Sequence, residues 1–145
     1  MQMIIDIHRL DDSFHMQAIN ESGKRVDIDA APALGGKDAG MRPMQMVLAA
    51  LGGCSAIDVI DILKKQRQNL QDIRLRISAE RAQNTIPAVF TKIHIHFTLT
   101  GDIEEEKAGR AISLSIDKYC SVAAMLRSTA TISHSFEVVA NEPIT

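Results

Sequence analysis

Residues 43 to 69, PMQMVLAALGGCSAIDVIDILKKQRQN, constrain this chain more than any other stretch. Pro43 suits the first position of a helix, because its ring already holds a helical φ and its missing N–H is not needed there. Lys64, Lys65 and Arg67 place positive charge at the negative end of the helix dipole, and Asn69 can take a left-handed cap. Val47, Leu48, Leu51, Ile57, Val59, Ile60, Ile62 and Leu63 point nearly all round the axis, the pattern of a helix buried among other elements. Gly52-Gly53 interrupts that run just before Cys54. Each glycine costs a helix about 1 kcal/mol against alanine, so the pair implies close approach by another element or a small ligand.

Cys54, Asp58 and Asp61 recur at i, i+4 and i+7 and share a helix face. A free cysteine on a buried helix is often only a small core residue. A reactive thiolate beside two carboxylates calls for a cation from elsewhere in the fold. Asp61 also has a plain role, as the i, i+4 partner of Lys65.

A length of 145 residues predicts one domain, residues 1–145, with a real core. Sixteen basic and 18 acidic residues give a net charge of −2, which supplies no drive toward nucleic acid or an anionic membrane. With no Trp and one Tyr, base-stacking platforms are not expected either. The opening Met1-Gln2-Met3-Ile4-Ile5-Asp6 has no signal-peptide pattern. The uncharged part of the long helix, Pro43 to Ile57, falls short of a bilayer span. These features predict a cytoplasmic protein without nucleic-acid or membrane partners. In a reducing compartment two cysteines are more often chemical than structural. They cannot complete a four-ligand zinc site unaided, and neither a metal nor another cofactor is expected.

Alternation of apolar and polar residues predicts three short strands within residues 1 to 29, joined by turns at Asp11-Asp12-Ser13 and Asn20-Glu21-Ser22-Gly23. A Gly-rich loop, residues 30 to 42, leads into the helix. After the helix, Ile73, Leu75 and Ile77 and then Ile93, Ile95, Phe97 and Leu99 mark a long hairpin with one apolar face. Asp102 with Glu105 fits a capping box for a second helix reaching about Lys118. Ser121 to Leu126 reads as one or two helical turns. Ile132, His134, Phe136 and Val138 mark a closing strand. The order βββ-α-ββ-αα-β is α+β, with mostly antiparallel strands around the central helix.

Cys120 is the second chemical candidate. It follows Lys118 and precedes a short helix, and both features favour a thiolate, so local sequence makes it the more acidic thiol. The plain alternative is a small residue at a helix junction. His94 and His96 share a strand face, but no third metal ligand is evident, so an exposed polar face is the expected role. His134 is expected to be a satisfied, partly buried histidine.

The block Arg42-Pro43-Met44-Gln45-Met46 through Gly52-Gly53-Cys54-Ser55-Ala56-Ile57-Asp58-Val59-Ile60, with Lys118-Tyr119-Cys120-Ser121-Val122, resembles the OsmC/Ohr family, and within it the YhfA-like branch of OsmC-like proteins. The resemblance covers nearly the whole chain. It implies an intertwined homodimer, in which each meander joins the partner's sheet and the central helices meet at the interface. It also implies a thiol-dependent peroxidase that reduces organic hydroperoxides. Cys54 matches the peroxidatic cysteine and Cys120 the resolving one, and a dithiol of lipoyl or other type would reduce their disulfide.

The family's Ohr members pair the thiolate with an Arg of the first hairpin and a Glu after the helix-starting Pro. Here that position is Met44, followed by Gln45, and neither Arg9 nor Arg25 is a clear match. Arg42 is the nearest basic residue in sequence and is about three turns from Cys54 along its own helix, so its candidate role is on the partner's thiol. Met44, Gln45 and Gly53 are the candidate substrate-pocket residues. The alternative to the enzyme is a non-catalytic dimer that binds a small apolar ligand or a protein partner.

Overall fold

The structure, a computed structural model, describes residues 1–141. Two compact units divide the chain, residues 1–49 and residues 50 onward.

The first unit holds the meander. Strands β1 (Ile5–Arg9), β2 (Met16–Asn20) and β3 (Arg25–Ile28) pair antiparallel in the order β1-β2-β3. Ile7 lies opposite Ala18, and Ala18 opposite Val26, so these residues share one face. Ile5, Ile7 and Val26 on that face are exposed. After β3 the loop is drawn round a buried carboxylate. Asp29 accepts hydrogen bonds from the backbone N–H of Ala30, Lys37 and Ala39 at 2.8, 3.0 and 3.0 Å. The carboxylate satisfies three N–H groups that a coil would otherwise leave open.

Helix α1 runs from Pro43 to Lys65, as the sequence predicts. Its buried residues are Leu51, Gly52, Ser55, Val59 and Leu63, a single stripe at helical spacing. The expectation of burial all round is therefore corrected: Ile57 is 69% exposed and Ile60 is 43% exposed. One chain supplies enough surface to cover one side of the helix. By length and composition α1 also meets the requirement for a membrane span, which corrects the expectation that it falls short. The apolar run reaches spanning length once Asp58 is admitted, the one charge among the first 18 residues of the helix. The helix stops at Arg67, which takes the left-handed conformation (φ 58°), and Gln68 N–H bonds back to Leu63 C=O at 2.9 Å. Asn69 is not the cap; it opens the next strand.

Strands β4 (Asn69–Arg81) and β5 (Phe90–Asp102) form the long antiparallel hairpin. Along β5, Ile93, Ile95, Phe97 and Leu99 are buried and alternate with His94, His96 and Thr98. Strand β6 (Thr131–Val139) pairs parallel with β5, giving a sheet ordered β4-β5-β6. Gly101 stands at a bulge near the foot of the hairpin with φ 144°, and a Cβ there would lie 2.1 Å from Asn69 O. Only glycine fits.

The connection from β5 to β6 carries α2 (Glu105–Leu114), a π-helical turn over Ser115–Tyr119, and α3 (Ser121–Leu126). The expected capping box is absent. Asp102 is still in β5, Glu104 is the N-cap without a side-chain cap, and its N–H is taken by Gln68 Oε1 at 2.8 Å. Asp102 cannot both close the long strand and start the helix.

Candidate active site

The two glycines serve different ends. A Cβ on Gly52 would lie 2.5 Å from the Cδ1 of Ile77, so its missing side chain lets α1 sit close to β4. A Cβ on Gly53 would meet nothing within 4 Å. Gly53 is exposed, and the next residue, Cys54, is half-buried.

One turn of α1 then supplies three polar groups. Ser55 lies in the buried stripe, and Asp58 stands four residues after Cys54. The π-helical turn delivers the rest. Its wide loop closes with Cys120 N–H bonded to Ser115 C=O at 2.7 Å, and the chain turns extended at Cys120. Turns of this kind occur often at functional sites. Arg127 donates a guanidinium N–H to Ile116 C=O and ties α3 back to this turn.

Cys120 is the N-cap of α3. Its sulfur accepts from Ala123 N–H at 3.4 Å and from the Ser55 hydroxyl at 3.6 Å. The Ser115 hydroxyl lies 3.1 Å from Asp58 Oδ2 and 3.2 Å from Ser55 C=O, both within its donating reach. The sulfurs of Cys54 and Cys120 and a carboxylate oxygen of Asp58 all lie within 4.8 Å of one another. Both cysteines are free thiols.

Electrostatics at Cys120 runs against the expectation made from local sequence. Burial pushes the Cys120 thiol above its ordinary value. The Ala123 N–H and Ser55 hydroxyl pull the other way, and the adjoining Cys54 thiol adds to the rise. The nearby Lys118 ammonium lies over the Tyr119 ring, 5.2 Å from its centroid. A helix N-terminus and a basic neighbour in sequence do not make an acidic thiol once the residue is 2% exposed.

Among the other sequence candidates, Arg42 pairs with Asp38 at 3.2 Å. Gln45 turns its Oε1 back to the Arg42 N–H at 3.0 Å and so satisfies a donor at the start of α1. Met44 is half-buried. Asp61 pairs with Lys65 at 2.8 Å, as its spacing predicts. His94 and His96 bond to Ser133, Ser135 and Glu137 of β6, a polar ladder across the parallel pair. His134 is half-buried.

Sequence reasoning missed Ser55 and Ser115. Each is a buried hydroxyl whose partner lies on a distant segment, and no local pattern marks it. It also missed a cavity of about 490 Å³ bounded by Asp58, Asp61, Ile62, Lys65, Gln66, Leu114 and Tyr119. The buried Oε1 of Gln66 has no hydrogen-bond partner among the described residues.

A helix-borne thiol, a second thiol capping a short helix after a π-helical turn, and a carboxylate beside both sit in an α+β fold. The chain belongs to the OsmC-like protein family, whose model matches residues 35–135. Protein YhfA of Escherichia coli K12 is 49% identical over 104 residues, covering 71% of this chain and 77% of that protein, which bears out the resemblance read from the sequence. A hypothetical protein from Aquifex aeolicus VF5 shares the fold with a TM-score of 0.84 and 28% identity, covering 98% of this chain and 99% of its own. The organic hydroperoxide resistance protein OhrB of Bacillus subtilis matches at TM-score 0.63 and 16% identity over 92% of this chain and 98% of its own.

Proposed function

We propose that residues 1–145 act as one OsmC-like domain, a thiol-dependent peroxidase that reduces organic hydroperoxides through Cys54 and Cys120. The observation that carries this reading is the meeting of both sulfurs with Asp58 within 4.8 Å. The half-buried Cys54 is the peroxidatic thiol. Its thiolate attacks the peroxide oxygen, forms an S–O bond and breaks the O–O bond. The alcohol leaves after taking a proton, and Cys54 becomes a sulfenic acid.

The buried Cys120 resolves it. Burial disfavours the thiolate of Cys120, so its attack calls for a base, and Asp58 is the carboxylate at hand. Asp58 takes the Cys120 proton, and the Cys120 sulfur attacks the sulfenic sulfur. The departing hydroxide leaves as water with that proton. Two thiols and one hydroperoxide thus give one disulfide, one alcohol and one water. A dithiol reductant, of lipoyl or other type, then returns the protein to its thiols. Ile62, Leu114 and Tyr119 of the adjoining cavity offer apolar surface to the organic group, as an addition to Gly53.

The working form in this reading is a cytoplasmic homodimer. Ile57 and Ile60 on α1 and Ile5 and Ile7 on the meander are apolar and exposed in the single chain, which supports it. A partner's Arg42 is the cation proposed for the Cys54 thiolate.

The test is a thiol count after mixing reduced protein with cumene hydroperoxide. Two thiols per chain are lost within seconds to minutes, and Cys54→Ser abolishes the loss. In Cys120→Ser, a sulfenic acid persists on Cys54 and is trapped by dimedone. Thiols that survive excess peroxide refute the enzyme and favour a dimer that binds a small apolar ligand or a protein, a reading fed by Met44 at the family's Glu position.

A further inference from the structure

We propose that the reduced site is also a binding site for a thiophilic divalent cation, zinc in the first instance, held by Cys54 Sγ, Cys120 Sγ and an Asp58 carboxylate oxygen. The three atoms already lie within 4.8 Å of one another. Tetrahedral zinc with S and O ligands holds neighbouring ligand atoms roughly 3.5–3.8 Å apart, so a closure of about 1 Å completes the triangle. Cys54 and Asp58 are four residues apart on one helix, the spacing at which two side chains of a single helix share a metal ion. Cys120 comes from a separate element, so the three ligands approach from more than one direction.

The surrounding donors suit this use. The Ser115 hydroxyl is 3.1 Å from Asp58 Oδ2, and Ser55 and Ala123 donate to Cys120 Sγ. Such outer groups orient ligands and tune the ion. Cys54 and Asp58 are both half-buried, which leaves a side open for a water as fourth ligand. Two thiolates select a soft or borderline ion over magnesium or calcium. On binding, the two thiols give up two protons, and the ion replaces them. Zinc and peroxide then exclude one another, because both use the same two sulfurs.

The proposal needs reduced, adjacent sulfurs but no turnover, so it can fail while the peroxidase reading stands, and the reverse. The test uses fully reduced, metal-free protein without peroxide. Zinc is titrated against a chromophoric chelator, and cobalt(II) serves as the spectroscopic probe. One ion per chain is expected, with release of about two protons per zinc and an intense thiolate-to-cobalt charge-transfer band. Cys54→Ser and Cys120→Ser abolish the band. Asp58→Asn weakens zinc binding by about tenfold or more while the band persists. His94→Ala and His96→Ala leave binding unchanged.

No binding at micromolar zinc overturns the proposal. So does cobalt binding without the charge-transfer band, and so does loss of binding in the histidine variants, which would place the ion on β5. The proton count and the band are read on the unaltered protein, so they decide the matter even where the buried Cys120→Ser variant does not fold.

Discussion

The contact between Gly52 and Ile77 sets how closely α1 lies on β4, two residues before Cys54, and its strength can be worked from the structure. Gly52→Ala brings two opposed effects. Alanine favours a helix interior by about 1 kcal/mol over glycine. Its Cβ would lie 2.5 Å from Ile77 Cδ1, with Ile77 Cγ1 at 3.8 Å and Leu75 Cδ2 at 3.9 Å. Carbon atoms in contact prefer about 3.5–4.0 Å, so only the Cδ1 methyl is in the way, by about 1 Å. Overpacking of this size costs about 1–3 kcal/mol, so Gly52→Ala should destabilise by about 0–2 kcal/mol. Ile77→Val alone removes that methyl and should cost about 0.5–1.5 kcal/mol, toward the low end because Ile77 is half-buried. In the double variant the clash is gone and the helix gain remains, so its stability should be close to that of the parent. The coupling between the two sites is then about 1–3 kcal/mol. Urea unfolding of the parent, both single variants and the double variant at one protein concentration measures it, with equal m values as the check. Effects that add within about 0.5 kcal/mol would refute the reasoning, because they would mean the methyl and the glycine do not meet.

Two further outcomes are expected. Asp58→Asn should leave the first oxidation intact and lengthen the life of the Cys54 sulfenic acid by about 100-fold or more, read as dimedone trapping in a single turnover; an unchanged lifetime removes Asp58 as the base for Cys120. Asp29 carries a pH signature. The Ala39 N–H, aided by those of Lys37 and Ala30, holds its carboxyl below the ordinary 3.8 despite the opposing effect of burial. A depressed carboxyl contributes stability that is fully present above 3.8 and is lost as pH falls through the folded value. The parent should therefore exceed Asp29→Asn in stability at neutral pH, and the gap should narrow on acidification; a gap that is flat in pH would contradict the role given to the loop carboxylate.

Much of the architecture is legible in local pattern. A period of two in residues 1 to 29, 70 to 81, 90 to 102 and 131 to 139 becomes strands, because alternate side chains must face opposite sides of a sheet. Pro43 begins a helix where its geometry dictates. Asp61 and Lys65 pair because one helical turn brings them together. The glycine pair signals a close approach before the approaching residue is known.

What the pattern does not carry are pairings across distance. Two helix ends and one loop depend on partners that lie elsewhere: Arg67 takes the left-handed turn expected of Asn69, Gln68 rather than Asp102 meets the start of α2, and Asp29 gathers three N–H groups from the loop beyond it. The parallel seating of β6 on β5 depends on the length and path of α2 and α3. The thiols show the difference most clearly. That Cys54 lies behind two glycines with Asp58 one turn on follows from the order of residues, because helix geometry is local and periodic. That Cys120 meets them, with Ser55 and Ser115 around it, depends on how separate elements pack. Desolvation comes from that packing, which is why burial pushes up the Cys120 thiol that local sequence would make acidic.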